Sequence, residues 1–388
     1  MAKLISQRHL FDIPAETAYF NCAYMSPMLK RTGAAMVKGT FSKYRPWQTS
    51  PDDFFANADD FRNLLSKTYG GDANSFAVIP SSSYGLSTAA RIMEEHVDSN
   101  QEILVLDEAF PSNFLPWHRL AQITGAKLVI VPTPSDFNWT KSVLERVNKK
   151  TAVVAIPNCH WTNGALLDVV TISDAAREVG AVLAMDVTQS LGALPFDFDR
   201  VKPDFAVSSG YKWSLFPYGL SIFYVDPKWH KSRPLEDTWL NREGAEVFED
   251  LVNYNYNYQA GARRFDMGQK CIPSILPGGL EALRQIREWG IANIAETLAA
   301  TNEIIAETCE SVGLIPIPKE HRSPHLLGVT STHPLSPNQT NTFAKQGIYF
   351  SRRGSSLRFS PHLHISDDDL DRLTDSLRAE FRAISIAS

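Results

Sequence analysis

Cysteine is scarce. The four residues, Cys22, Cys159, Cys271 and Cys309, lie far apart with no C-x-x-C pair among them. This argues against a disulfide framework or a thiolate zinc site, and a reducing cytoplasm is the expected setting. No stretch of about 18 apolar residues is present to span a bilayer. The opening MAKLISQRHLFDIP has no apolar core of a secretory leader. Neither sign of charge dominates: 38 Lys and Arg against 43 Asp and Glu give a net charge of −5, with no basic block. Nucleic acid and anionic membranes are therefore not expected partners, and small molecules are. No G-x-G-x-x-G follows an apolar run, which disfavours a dinucleotide site. Internal repeats and low-complexity segments are missing as well.

Short apolar runs are plentiful. Between about residues 75 and 225 the runs Glu102–Leu106, Lys127–Val131, Ala152–Ile156, Ala181–Met185, Asp204–Val207 and Gly219–Val225 are aliphatic on both faces. Such runs predict strands buried on both sides, as in a parallel sheet covered by helices. The last follows its predecessor closely enough to be antiparallel. Helices are expected over Tyr84–Glu95, Ser112–Thr124, Ser142–Asn148 and Ile172–Val179, with Gly125 and Gly180 as two of their stops. The alternation predicts a doubly wound α/β domain, within residues 1–275 together with an aromatic-rich amino-terminal segment. From 276 to 388 a smaller α+β domain is expected. It holds helices at Leu280–Glu288 and Ile291–Ser311, a loop-rich Pro316–Pro337, and a final helix Asp367–Ile386 with Ser366 as its cap.

In such sheets ligands bind at the carboxyl ends of the strands. Asp186 follows one run, Ser209, Tyr211 and Lys212 follow another, and Ser82 and Ser83 follow SFAVIP just before a helix. Pyridoxal phosphate asks for these three anchors: an amine for its aldehyde, a carboxylate for its ring nitrogen, and donors at a helix N-terminus for its phosphate. Each piece alone has a plainer reading, as a cap, a solvated charge or a loop serine. Their order along the chain favours the joint one.

The runs AMDVTQSLGALPFDF and DFAVSSGYKWSLFPYGLSIFYV resemble the cofactor signature of the class V aminotransferase family. This group includes cysteine desulfurases, kynureninase and isopenicillin N epimerase. The likeness extends from TAYFNCAYMSPM to SSLRFSPHLHISDDDLDRL. It implies a PLP-dependent transferase of fold type I, an α/β fold with a large mostly parallel sheet wrapped by helices and a smaller α+β domain. It also implies a homodimer with active sites at the interface. Lys212 would form the Schiff base and shuttle the Cα proton, with Asp186 on the ring nitrogen and Gln189 on the ring oxygen. Ser82, Ser83, Ser209 and Tyr211 would bind phosphate. Phe110 would stack on the ring where desulfurases carry histidine. Asn163 would lie near the ring oxygen and the substrate carboxylate, and Arg358 would grip that carboxylate. Gln269, where the family has a threonine, would reach the neighbouring subunit's phosphate.

The segment GIYFSRRGSSLR, where a desulfurase carries its mobile cysteine, has none. Persulfide chemistry is thereby disfavoured. An aminotransferase acting on an amino acid or related amine is the leading expectation, with a kynureninase-like or C–S lyase, or an epimerase, as alternatives. A non-enzymatic PLP-binding module fits least, because the lysine, aspartate and arginine set is complete. One of Arg352, Arg353, Arg263 and Arg264 is expected to recognise an anionic group on the substrate or co-substrate. His160 reads as packing rather than catalysis, and a metal site formed with His362 and His364 is not expected.

Overall fold

The computed structural model describes residues 3–332, 335 and 339–386; the side chains of 339 and 382–386 lie outside the description. A two-residue strand β1 (Ala18–Tyr19) precedes helices α1 (Lys30–Phe41) and α2 (Ala56–Tyr69). Strands and helices then alternate: β2 (Phe76–Ile79), α3 (Ser82–Met93), β3 (Glu102–Leu106), α4 (Leu115–Thr124), β4 (Lys127–Val131) and α5 (Trp139–Leu144). The alternation continues with β5 (Thr151–Pro157), α6 (Val169–Glu178), β6 (Val182–Asp186), α7 (Phe198–Val201), β7 (Phe205–Ser209) and β8 (Ser221–Val225). After α8 (Leu276–Trp289) and α9 (Ile291–Ser311) come β9 (Leu314–Pro316), β10 (Leu327–Ser331), α10 (Gln339–Lys345) and β11 (Ile348–Tyr349). The hairpin β12 (Ser351–Arg353) and β13 (Ser356–Phe359) and helix α11 (Asp367–Ile386) end the described chain.

Strands β2 to β8 form one sheet in the order β2-β8-β7-β6-β5-β3-β4. From β4 to β7 neighbours are parallel, and β8 runs antiparallel between β7 and β2, as its short connection suggested. Successive residues face opposite layers: Val154 and Ile156 join one apolar cluster, Val153 and Ala155 the other. Helices on both faces explain why the runs are aliphatic throughout. The exception is β4 at the sheet edge, where Lys127 and Ile130 are exposed. The other edge is protected: Val78 N–H donates to the Asp266 carboxylate at 2.8 Å, and Met267 N–H donates to Val78 O at 2.9 Å.

Helix ends follow local chemistry. Gly125 and Gly180, both at φ +76°, close α4 and α6 as expected. Helix α5 begins earlier than periodicity suggests because the Asn138 side chain accepts from Lys141 N–H at 3.1 Å and caps it there. Helix α8 also begins earlier, taking in Gly278 and Gly279. A Cβ at either would press on Met36 and Pro217 or on Leu220 and Phe61, so the pair permits close packing of α8 on its neighbours. Ser366 and Asp369 form a reciprocal cap at the start of α11.

The second sheet is antiparallel, in the order β12-β13-β10-β9, and β1 pairs in parallel with β11. Two of its strands, β9 and β10, fall in or beside the stretch expected to be loop-rich; of that stretch, 333, 334, 336 and 337 lie outside the described residues. Gly328 in β10 masks the apolar pattern. A Cβ there would collide with Asn163, so the strand lies close against the loop after β5.

Candidate active site

Because β2 is parallel to β3, β5, β6 and β7, their carboxyl ends open on one edge. Residues after all five strands line a single cavity of about 240 Å³. Strand β2 contributes Ser81, Ser82 and Ser83, and the loop after β3 contributes Phe110. From β5 come Cys159 and Trp161, from β6 Asp186, Thr188 and Gln189, and from β7 Ser209, Tyr211 and Lys212.

Lys212 is 6% exposed, and burial pushes its pKa down to about 8 against the opposing pull of Asp186; Arg358 and Arg353 lower it further. A substantial neutral fraction near physiological pH makes the amine a competent nucleophile and base. Its Nζ lies 5.4 Å from the centroid of the Phe110 ring and 5.7 Å from that of Tyr211. Asp186 is buried, which raises its pKa, while Thr188 and Lys212 oppose the rise. Thr188 N–H donates to Asp186 Oδ1 at 3.0 Å and holds the carboxylate at the strand end.

Thr188 also joins the carboxylate to the serine cluster. Its Oγ1 accepts from Ser209 N–H at 3.0 Å and lies 2.9 Å from Ser82 Oγ, which is 2.7 Å from Ser209 Oγ. Ser81 caps α3 by accepting from Tyr84 N–H at 3.2 Å, and its hydroxyl lies 2.8 Å from that of Ser83. A twelve-residue helix thus aims its N-terminus, ringed by hydroxyls, at the cavity. Tyr211 borders it, with its ring 4.7 Å from that of Tyr218.

Gln189 lines the cavity with its amide largely committed. Nε2 donates to Ala23 O at 3.1 Å, and Oε1 accepts from Trp213 Nε1 at 3.0 Å. One amide hydrogen is left for a ligand. Phe110 is 38% exposed and meets Trp161 edge-on at 5.3 Å.

Arg358, on β13, is 1% exposed. Nε donates to Ser351 Oγ at 3.1 Å, and Nη1 donates to Trp161 O at 2.6 Å, on the residue that borders the cavity. Burial and the charge of Arg353 push its pKa down to about 9, so it stays protonated at neutral pH. Asn163 does not line the cavity: its Oδ1 accepts from Ala165 N–H at 3.0 Å within the turn. Gln269 is exposed and also does not line it.

Among the cysteines only Cys159 borders the cavity, and burial pushes its thiol pKa up to about 12. His160 stacks on Trp139 at 4.9 Å and bonds Thr162 Oγ1 at 2.8 Å; burial drives its pKa down to about 4, which suits a packing role. No group of three or more His, Cys, Asp or Glu arranged to hold a metal occurs among the described residues. Thr188 and Trp161 received no role from the sequence. A threonine two residues past a strand-end aspartate was the visible signal for the first. The second depends on a contact with β13 that no local pattern announces.

The family model described as aminotransferase class-V matches residues 47–367. An uncharacterized aminotransferase of Schizosaccharomyces pombe is 24% identical over 93% of this chain and 91% of its own length. Among solved structures, an apo cysteine desulfurase from Thermococcus onnurineus NA1 superposes with a TM-score of 0.84 at 16% identity, covering 99% of this chain and 100% of the other. A lysine-to-alanine mutant of C-DES, with glycine covalently linked to its PLP cofactor, superposes at 0.87 with 19% identity, covering 97% and 99%. The likeness establishes the α/β fold of these enzymes, as the sequence implied.

Proposed function

The chain belongs to the class V aminotransferase family, and on that footing we propose that it is a PLP-dependent aminotransferase acting on an α-amino acid or a related amine. The observation that carries the reading is one cavity gathering a buried lysine, a buried aspartate and a hydroxyl-lined helix N-terminus. The donor set fits the cofactor: the buried Asp186 carboxylate suits a cationic ring nitrogen, and the end of α3 with Ser82, Ser83 and Ser209 suits a phosphate. When bound, pyridoxal phosphate supplies a protonated ring that spreads the negative charge developing at the substrate Cα.

Everything else falls to this chain's side chains. Asp186 would hold the proton on the ring nitrogen, and Thr188 keeps that carboxylate in place. The neutral Lys212 amine, favoured by burial, would hold the cofactor covalently and then carry the Cα proton. Gln189 has one N–H to offer the ring oxygen, and Phe110 presents an aromatic face near Lys212. Arg358 is a buried guanidinium without a carboxylate partner among the described residues, and it suits the substrate carboxylate. Gln269, exposed and outside its own chain's cavity, fits the expected contact to a second copy of the chain. The Cys159 thiol at about 12 is almost wholly protonated at neutral pH, which argues against a persulfide route.

The test is stoichiometric. With an amino donor alone, the holoenzyme should form oxo acid only in amount equal to enzyme, with sustained turnover requiring an oxo-acid acceptor. Lys212→Ala should abolish both. Continuous release of ammonia or of a cleaved side chain without acceptor would replace the proposal with a lyase, and loss of optical activity alone with an epimerase.

A further inference from the structure

The four arginines Arg263, Arg264, Arg352 and Arg353 are separated by their surroundings as sites for an anion. Arg263 is occupied by Asp59 at 3.0 Å and Asn74 at 2.8 Å. Arg264 donates to Ser232 O and lies over the Tyr258 ring at 4.8 Å. Arg352 turns its guanidinium to Gly354 O and Leu335 O. Arg353 has a different setting.

Opposed residues of an antiparallel pair point to the same face, and so do residues two apart on one strand. Ser351 opposes Arg358 across the β12–β13 hairpin, and the bond between their side chains fixes that face. Arg353, two residues beyond Ser351, shares it, whereas Arg352 takes the other. The shared face looks toward the cavity, because Arg358 reaches the carbonyl of the cavity-lining Trp161. The Arg353 charge is felt by both Lys212 and Arg358 and lowers the pKa of each. Two guanidinium groups and the Lys212 amine therefore share a neighbourhood, with Asp186 acting on Lys212 in the opposite sense.

Every Asp and Glu of the sequence lies among the described residues, and none forms an ion pair with Arg353 or Arg358. The hydrogen bond Arg353 makes is to the backbone, from Nη1 to Arg352 O at 2.8 Å, and the residue is only partly exposed. A pair of guanidinium groups on one face, neither neutralised by an acid among the described residues, matches a ligand with two anionic groups. A monoanion would satisfy Arg358 and leave the repulsion from Arg353 in place.

We propose that Arg353 is a specificity-determining residue that selects amino acids or oxo acids carrying a second anionic group, in the simplest case dicarboxylates. This rests on the reading of the cavity as an amino-acid site with Arg358 on the α-carboxylate.

The experiment measures binding by calorimetry on the purified protein. Succinate and glutarate are compared with propionate and butyrate, for wild type, Arg353→Ala, Arg353→Lys and Arg352→Ala. The wild type should favour the dicarboxylates by on the order of tenfold or more, as a charge-assisted pair supplies. Arg353→Ala should bring the ratio close to one, and Arg353→Lys should keep part of it by retaining the charge without the fork. Arg352→Ala, on the opposite face, should leave the ratio unchanged. A wild-type ratio near one, or equal loss in Arg352→Ala, overturns the proposal. Visible absorbance of the same samples with added pyridoxal phosphate reports on the cofactor separately. Cofactor uptake without dicarboxylate preference sinks the arginine assignment alone, and preference without uptake sinks the cofactor reading alone.

Discussion

Replacing Thr188 by Val changes shape little but deletes the hydroxyl that joins the carboxylate side of the site to the serine side. Two hydrogen bonds go, acceptance from Ser209 N–H at 3.0 Å and the bond to Ser82 Oγ at 2.9 Å, together with the hydroxyl's contact to the Asp186 carboxylate. The Ser209 amide is then left without its acceptor, which costs about 1–3 kcal/mol when the group is shielded from water. Ser82 keeps its 2.7 Å bond to Ser209 Oγ, so its loss is smaller, about 0.5–1.5 kcal/mol. The backbone bond from Thr188 N–H to Asp186 Oδ1 survives the change, so the carboxylate proposed to hold the ring nitrogen should stay in place.

From those two hydrogen bonds, unfolding monitored by urea or heat should show a loss of about 1.5–4.5 kcal/mol in the apo protein. Pyridoxal phosphate titration followed in the visible should show affinity weakened on the order of tenfold, because Ser82 and Ser209, the hydroxyls proposed to bind phosphate, lose their orientation. Thr188→Ser keeps the hydroxyl and should restore most of both. If Thr188→Val unfolds and binds like wild type, or Thr188→Ser is equally damaged, the hydroxyl bridge is not what holds the site.

Other predictions concern charge. If Lys212 is the cofactor-binding amine, it reacts only in its free form, whose fraction grows with pH. The rate of its covalent reaction with added cofactor should therefore rise through a midpoint at about 8, rather than at the ordinary lysine value of ~10.4. Asp186 raises the Lys212 pKa, so Asp186→Asn should move that midpoint to lower pH. A midpoint that rises, or stays fixed, contradicts the coupling. Away from the site, Asp266 is fully buried between Arg62 and Lys270, both 1% exposed, with Lys270 Nζ at 3.1 Å. Asp266→Asn leaves the buried Lys270 without its ion-pair partner and Arg62 with Asp59 alone, and should cost about 3–5 kcal/mol in denaturant unfolding, whereas an unchanged midpoint would show that water or rearrangement screens them.

The chemistry-bearing ends of the central strands were readable because a strand buried on both faces has to be aliphatic, and Asp186 or Lys212 after such a run stands out. The second sheet was less so. Its strands are three to five residues long, and Gly328 sits where an apolar side chain would have marked the pattern. Helix α8 was read as starting late because Pro277-Gly278-Gly279 resembles a stop. Its true start depends on Met36, Pro217, Leu220 and Phe61 approaching too closely for any Cβ. Asn163 followed a strand as Asp186 did, yet its side-chain oxygen turns inward to Ala165 N–H. Sequence order places a residue at a strand end without settling whether its polar atom faces the cavity or closes the turn.

Lys270 is the natural rival to Lys212: it too is buried, but Asp266 neutralises it and the cavity at the strand ends does not include it. Borohydride reduction of the cofactor-loaded protein, followed by peptide mass mapping, decides between them. The phosphopyridoxyl mass should appear on the peptide containing Lys212 and vanish in Lys212→Ala. The same mass on Lys270, or on no lysine of wild-type protein, would contradict the account at its centre.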